Sequence, residues 1–316
     1  MKNNKNFLLM EGLLGIMALV LALLLLNSQT SAVQGKISVI LPDSDNSRWS
    51  ALKYGLKMAA KDQQVELAIV DTGESLTVKE QQRLLTQESD RGADGVLFQP
   101  VKGLQATELA KIEKQTPLMS LAAPLNGKTD TKIAQVTPDN YALGQTLGEA
   151  MRQDYADKLA GKTLGILMTE KESLMTTQRL AGLEHTLKAT GIRLLWQVSL
   201  AENASVEEVL ETKDKVDLLV ALDDESLQLL ATRVRTPVVY GVGHSTEALY
   251  GLDMGIVAAV VVPDLFQMGY QSVVNMTTGW QLFGTAKNQE VAFQVIRQEE
   301  LFSKEHQELL FTMSQN

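Results

Sequence analysis

The sequence contains no cysteine. That excludes a disulfide framework, a thiolate metal site, a cysteine nucleophile and a lipid-modified N-terminal cysteine. Histidine is scarce as well: His185, His244 and His306 are the three, too widely spaced for a histidine-rich metal centre. Positive charge is outweighed, with 29 Lys and Arg against 38 Asp and Glu for a net charge of −9. An acidic body of this kind is a poor candidate for binding nucleic acid. Catalytic patterns are missing too. No Ser/His/Asp order, HExxH phrase or glycosidase carboxylate pair stands out, so no enzyme and no cofactor is read here. What is present, 316 residues with 45% hydrophobic and 21% charged side chains, is the composition of a folded chain of about two domains.

The first 35 residues stand apart from the rest. Lys2 and Lys5 precede an apolar run from Phe7 to Leu26, interrupted only by Glu11, Gly12 and Gly15, and the chain then turns polar from Asn27 to Gly35. Such a run reads either as an export signal, with Thr30-Ser31-Ala32 as its small-residue cleavage site, or as a retained helix long enough to span a ~30 Å hydrocarbon core. The retained anchor is the favoured reading. In both cases the lysines mark the cytoplasmic side and the remainder lies outside. A buried core helix would carry a polar face, which this run lacks.

Beyond residue 35 strands and helices alternate. Lys36 to Pro42 is a β-branched run, and Trp49, Leu52, Leu56, Ala59 and Ala60 then recur at helical spacing. The cycle continues with a strand at 66–71, a helix at 78–91, a strand at 95–98, a helix at 103–114 and a strand at 117–122. A second series runs through helix 141–159, strand 163–168, helix 177–190, strand 193–198, a short helix from Val206, strand 216–222, helix 225–233 and strand 237–242. A strand at 255–262, a helix opened by Pro263 and Asp264 and a last strand near 292–296 follow. This order predicts an α/β fold of two Rossmann-like lobes, each a parallel sheet covered by helices.

Several phrases carry a resemblance: Ile37-Ser-Val-Ile-Leu-Pro-Asp-Ser-Asp-Asn46 with Trp49 opening the first helix, Gly92-Ala-Asp-Gly-Val-Leu-Phe-Gln-Pro100, Thr137-Pro-Asp-Asn-Tyr-Ala-Leu-Gly144, Gln178-Arg-Leu-Ala-Gly-Leu183 and Ala221-Leu-Asp-Asp-Glu225. In order and spacing they resemble the type 1 periplasmic binding proteins, the ribose-binding and lactose-repressor-like group. The resemblance implies two lobes joined by a three-strand hinge, with ligand held between the carboxyl ends of both sheets. The expected division is 36–123 with about 263–288 for the N-terminal lobe, and 124–262 with about 289–316 for the C-terminal lobe.

The same alignment names the candidate ligand-binding residues Asn46, Arg48, Trp49, Lys102, Thr177 and Asp223. Thr177 stands where the sugar-binding relatives carry an arginine, Arg48 where they carry an aromatic ring, and Lys102, Ala122 and Gly243 where they carry acidic residues. The inferred cleft is thereby shifted toward positive charge. It suits a ligand with an anionic group held by Lys102 and Arg48, stacked on Trp49 and oriented by Asp223. Each residue also has a plainer role. Trp49 lies on an apolar stripe and serves equally as core. Arg48 and Lys102 serve as solvated surface charges, and Asp223 or Asp224 as the cap of the helix that follows.

Three functions compete on this basis. The leading one is an extracytoplasmic solute-binding protein that closes on a small molecule and presents it to an ABC-type membrane permease. The alternative uses the same closure to signal to a membrane sensor kinase, favoured by a retained helix and by the eroded sugar contacts. A DNA-binding repressor would need a helix-turn-helix where the hydrophobic segment stands.

Overall fold

The computed structural model describes residues 35–311 apart from 45–46, 74–75, 126–132, 170–172, 201–204, 234–236 and 282–283, together with residue 17. The predicted anchor and its cleavage site lie outside the described residues, save residues 17 and 35. Among the described residues no helix is long and apolar enough to cross a membrane.

The strands are β1 (Lys36–Ile40), β2 (Glu66–Val70), β3 (Gly95–Phe98), β4 (Leu118–Leu121), β5 (Ala134–Pro138), β6 (Thr163–Met168), β7 (Arg193–Ser199), β8 (Leu218–Ala221), β9 (Val238–Val242), β10 (Val257–Pro263), β11 (Gln289–Val291) and β12 (Phe293–Arg297). The helices are α1 (Ser50–Asp62), α2 (Val78–Asp90), α3 (Ala110–Glu113), α4 (Asn140–Tyr155), α5 (Leu174–Leu187), α6 (Val206–Thr212), α7 (Asp224–Arg233), α8 (Thr246–Asp253), α9 (Leu265–Trp280) and α10 (Lys304–Phe311). Two six-stranded sheets result, in the orders β11-β5-β4-β3-β1-β2 and β12-β10-β9-β8-β6-β7. Every pairing is parallel except β10 with β12.

The alternation of strand and helix explains this layout, because a parallel neighbour can be reached only through a crossover, and helices then cover both faces. The central strands accordingly read as unbroken apolar runs: β3, β4 and β8 are buried at every position. In the first lobe α1 and α9 pack together on one face; in the second α4 and α5 do the same. Their approach is close enough to need glycine, since a Cβ on Gly144 of α4 would meet the Arg179 carbonyl of α5 at 1.9 Å.

Sheet pairing moves the lobe boundary from its expected place. The expected first crossover falls after residue 123, yet β5 pairs with β4 through Met119–Ala134, Ser120–Gln135 and Leu121–Val136, so the chain leaves the first sheet only after Pro138. Its alternating half-buried pattern and terminal proline disguise β5 as a loop. β11 likewise joins β5 in the first sheet, and β12 belongs to the second. The three crossings therefore lie between β5 and α4, β10 and α9, and β11 and β12. The helix expected over 103–114 shortens to a 3-10 turn, Ala106–Leu109, and α3, opened by a reciprocal cap between Gln105 and Glu108.

Candidate functional site

Strands of a parallel sheet end together, and the loops at their carboxyl ends form the rim where a ligand can be met. In the first lobe the loops of that rim are tied by neutral side chains. The Thr72 hydroxyl, beyond β2, donates to the Leu41 carbonyl at 2.5 Å and accepts from the Ser44 amide at 3.1 Å, while the Thr72 amide donates to Ser44 Oγ at 3.0 Å. Both side chains are buried. This lacing holds the chain after β1 in a tight bend, with Asp43 in the left-handed region at φ 49°.

From that bend rises the one-turn helix Ser47–Trp49. Trp49 packs in the first lobe's core, 5% exposed, and its indole N–H donates to the Pro42 carbonyl at 2.9 Å. The Arg48 guanidinium lies over the ring, 4.8 Å from its centroid. Of the two roles open to Trp49, the packing places it in the core.

The loop after β3 is fixed from beneath by Gln81 of α2, wholly buried, whose amide nitrogen donates to the Gln99 carbonyl at 2.7 Å and whose oxygen accepts from the Val101 amide at 3.0 Å. Lys102 follows this clamp and is exposed. Beyond β4, Ala122 sits at φ 61°, a left-handed conformation that an L side chain adopts at a cost of about 1–2 kcal/mol.

In the second lobe the rim is tied by charged side chains. Asp223, 7% exposed, accepts from the Thr169 amide and from the Ser226 amide, both at 2.8 Å. One carboxylate thus ties the end of β6 to the first turn of α7, the capping geometry expected of an acid at that position. Asp224 points the other way, accepting from the His244 and Ser245 amides at 2.7 and 2.9 Å. Gly243 permits this approach, since a Cβ there would stand 2.2 Å from the same carboxylate oxygen.

Below them lies Arg179, 5% exposed, donating from Nε to Asn140 Oδ1 at 2.9 Å and from Nη1 to the Leu222 carbonyl at 2.8 Å. Burial pushes its guanidinium down to about 10, against the pull of Asp223 and Asp224. Thr177, on the same helix, is exposed and donates to the Ser173 carbonyl at 2.9 Å.

The rims meet. His244 Nε2 lies 3.0 Å from the Arg48 main-chain oxygen, a contact across 196 residues of chain. The Glu225 carboxyl, on the first turn of α7, is raised above its ordinary range by burial and by Asp223, and the Arg48 charge pulls it back down. Arg48 and Glu225 thus bring opposite charges to the junction from the two lobes.

Of the sequence candidates, Arg48 and Trp49 stand together at this junction, with Asp223 just behind its second-lobe side. Lys102 and Thr177 are exposed, and Asn46 lies outside the described residues. The sequence reading passes over Gln81, Arg179 and the Asp224–His244 pair as site-forming residues. Arg179 carried a signal, being the first residue of an Arg-x-x-Gly phrase; Gln81 carried none. Among the described residues, no three histidines and acids converge as metal ligands.

Comparison with known proteins gives this geometry a context. The profile of the periplasmic binding protein domain matches residues 37–278. No curated protein sequence matches the chain. Among solved structures, a carbohydrate transporter solute-binding protein from Agrobacterium radiobacter in complex with D-arabinose superposes with a TM-score of 0.77 at 16% identity, over 87% of this chain and 98% of its own. GanP, a glucose-galactose binding protein from Geobacillus stearothermophilus, gives 0.70 at 22% identity over 85% and 99%. XylFII in its complex with LytSN gives 0.69 at 16% identity over 85% and 99%.

Proposed function

The chain belongs to the periplasmic binding protein domain family, and from that premise we propose that it is an extracytoplasmic solute-binding protein whose lobes close on a sugar-like molecule and present it to an ABC-type transporter. The observation that carries this reading is the meeting of the two strand-end rims at Arg48 and His244. Ligands of open α/β sheets bind at such carboxyl ends, and hinge closure is the motion that three interlobe crossings allow. Similarity to proteins named for arabinose and for glucose and galactose supports the ligand class.

Charge at the junction also favours a neutral ligand over an anionic one. Asp223, Asp224 and Glu225 gather negative charge on the second-lobe side, while Arg48 lies over Trp49 and pulls the raised Glu225 carboxyl back down, and Lys102 is exposed. Lys102, Thr177 and the Arg48 guanidinium are the proposed contacts, with Asp223 setting the loops that carry the second-lobe side. A panel of neutral pentoses and hexoses beside their phosphates, screened by thermal shift and then calorimetry, tests the proposal. Stabilisation by a neutral sugar is expected, by mass action. Stabilisation by the phosphates alone would return the ligand to the anionic class, and no response to any of them would remove the sugar reading.

The alternative, docking on a membrane sensor kinase, is favoured by likeness to XylFII in a complex with LytSN. It predicts that the sugar-loaded protein binds a kinase's extracytoplasmic domain and leaves a permease unbound. The N-terminal run serves either partner by keeping the protein at the membrane, and it predicts a full-length chain retained by membranes after a carbonate wash.

A further inference from the structure

We propose that His244 is an interlobe positioning residue: its Nε2–H bond to the Arg48 carbonyl ties the lobes directly, so that part of the closed conformer's stability comes from the chain and not from the ligand. The inference goes beyond ligand identity and holds for either partner. A backbone carbonyl only accepts, so the 3.0 Å contact requires the proton on Nε2. The ring is held from its own side, because Asp224 accepts from the His244 and Ser245 amides and so fixes the main chain that carries it.

The acceptor is set from the other side. Arg48 is followed by Trp49, whose indole is bonded to Pro42 and packed in the core, so the Arg48 carbonyl is held by the first lobe itself. Two partners already ordered within their own lobes lose little freedom when they meet, which is why one hydrogen bond here can bias closure. Gly243 stands where the sugar-binding relatives are expected to carry an acid, and the missing side chain is what admits Asp224. A position that would address the ligand in those relatives instead supports a contact between the lobes.

In a two-state opening equilibrium such a contact shifts the closed fraction, and ligand affinity scales with that fraction. The native chain has no cysteine, so spin labels at Lys79→Cys on α2 and Glu184→Cys on α5, both exposed, report the interlobe distance in the full-length protein without ligand. His244→Phe, which keeps a ring but no donor, should move the distance distribution toward the open form by ~5-fold in population. His244→Gln, which keeps an N–H donor, should restore most of the closed fraction. Identical distributions in wild type and His244→Phe, or equal opening by both variants, would overturn the assignment.

A measurement on the unsubstituted side chain stands beside the variants. Long-range proton–nitrogen correlation spectra should show His244 with its proton on Nε2 in slow exchange with water. A proton on Nδ1 in the neutral ring would refute the bond. Neither readout uses sugar, so failure here leaves the ligand screen standing, and the reverse.

Discussion

The two rims solve the same positioning problem by opposite means. The first lobe fixes its strand-end loops with neutral groups, the Thr72–Ser44 lacing and the Gln81 clamp, and tolerates left-handed backbone at Asp43 and Ala122. The second uses charge, buried at Asp223 and Arg179 and half-buried at Asp224, with both carboxylates bonding loop amides and Arg179 lying beneath them. Charge-assisted bonds are the stronger class, yet a buried charge is costly once a partner is lost. The second rim is therefore the more rigid of the two and the more fragile to substitution, and the first is the side suited to adjust to a ligand.

Removing the Arg179 guanidinium should break this contrast most severely. Arg179→Met keeps the apolar length but leaves Asn140 Oδ1 and the Leu222 carbonyl unpaired and two carboxylates without their nearby cation. Loss of a partner from a buried charged network costs about 3–5 kcal/mol. A fall of this size in urea unfolding is expected, and a loss under 1 kcal/mol would show that the second rim does not depend on its buried charge.

On the neutral rim the matching change is Gln81→Leu, which strands the Gln99 carbonyl and the Val101 amide. An unmade pair of buried backbone bonds predicts a loss of about 1–3 kcal/mol, smaller than on the charged rim. The same variant should weaken ligand binding more than its stability loss accounts for, because the loop bearing Lys102 is released. Equal costs for Gln81→Leu and Arg179→Met would erase the distinction between the lobes.

The contrast was only half legible in the sequence. The alternation of strand and helix gave the two-lobe α/β plan because each central strand is a short, mostly apolar run between helical segments. β5 escaped, since Ala134–Pro138 is short, alternates in burial and ends in proline; α8 escaped as a short helix behind Ser245. In the site, the Asp223 cap could be read from acids just ahead of an apolar stripe. Whether Trp49 was core or platform could not, because its stripe position fits both and only the Pro42 bond and the overlying Arg48 decide. The His244–Arg48 contact joins elements far apart in the chain, and no local pattern encodes it.

A gentler probe sharpens the first rim. Ala122 holds φ 61° without the freedom of glycine. Ala122→Gly removes the left-handed penalty but adds freedom to the unfolded chain, so a net gain of about 0.5–1 kcal/mol is expected. Unfolding in urea with an unchanged slope measures it. A loss of stability would mean that the Ala122 methyl packs in a way that outweighs its backbone strain.

The smallest effect belongs to the junction itself, at Glu225. Burial and the neighbouring Asp223 raise its carboxyl above the ordinary range, Arg48 opposes them, and Asp224 adds to the rise. A raised acid binds more protons folded than unfolded across the interval between its two pKa values, so its contribution falls as pH climbs through that interval and is most favourable below it. Glu225→Gln removes that titration. The wild type should thus lose slightly more stability than the variant between pH 4.5 and its raised value, and the two curves should run parallel at higher pH. The side chain is more than a third exposed, so solvent keeps the difference to a few tenths of a kcal/mol, on the order of an exposed ion pair. Raised salt should shrink it further by screening Arg48 and Asp223 together. A larger loss in the variant, growing toward neutral pH, would instead mean that attraction to Arg48 outweighs burial, and would make Glu225 a second tie between the lobes.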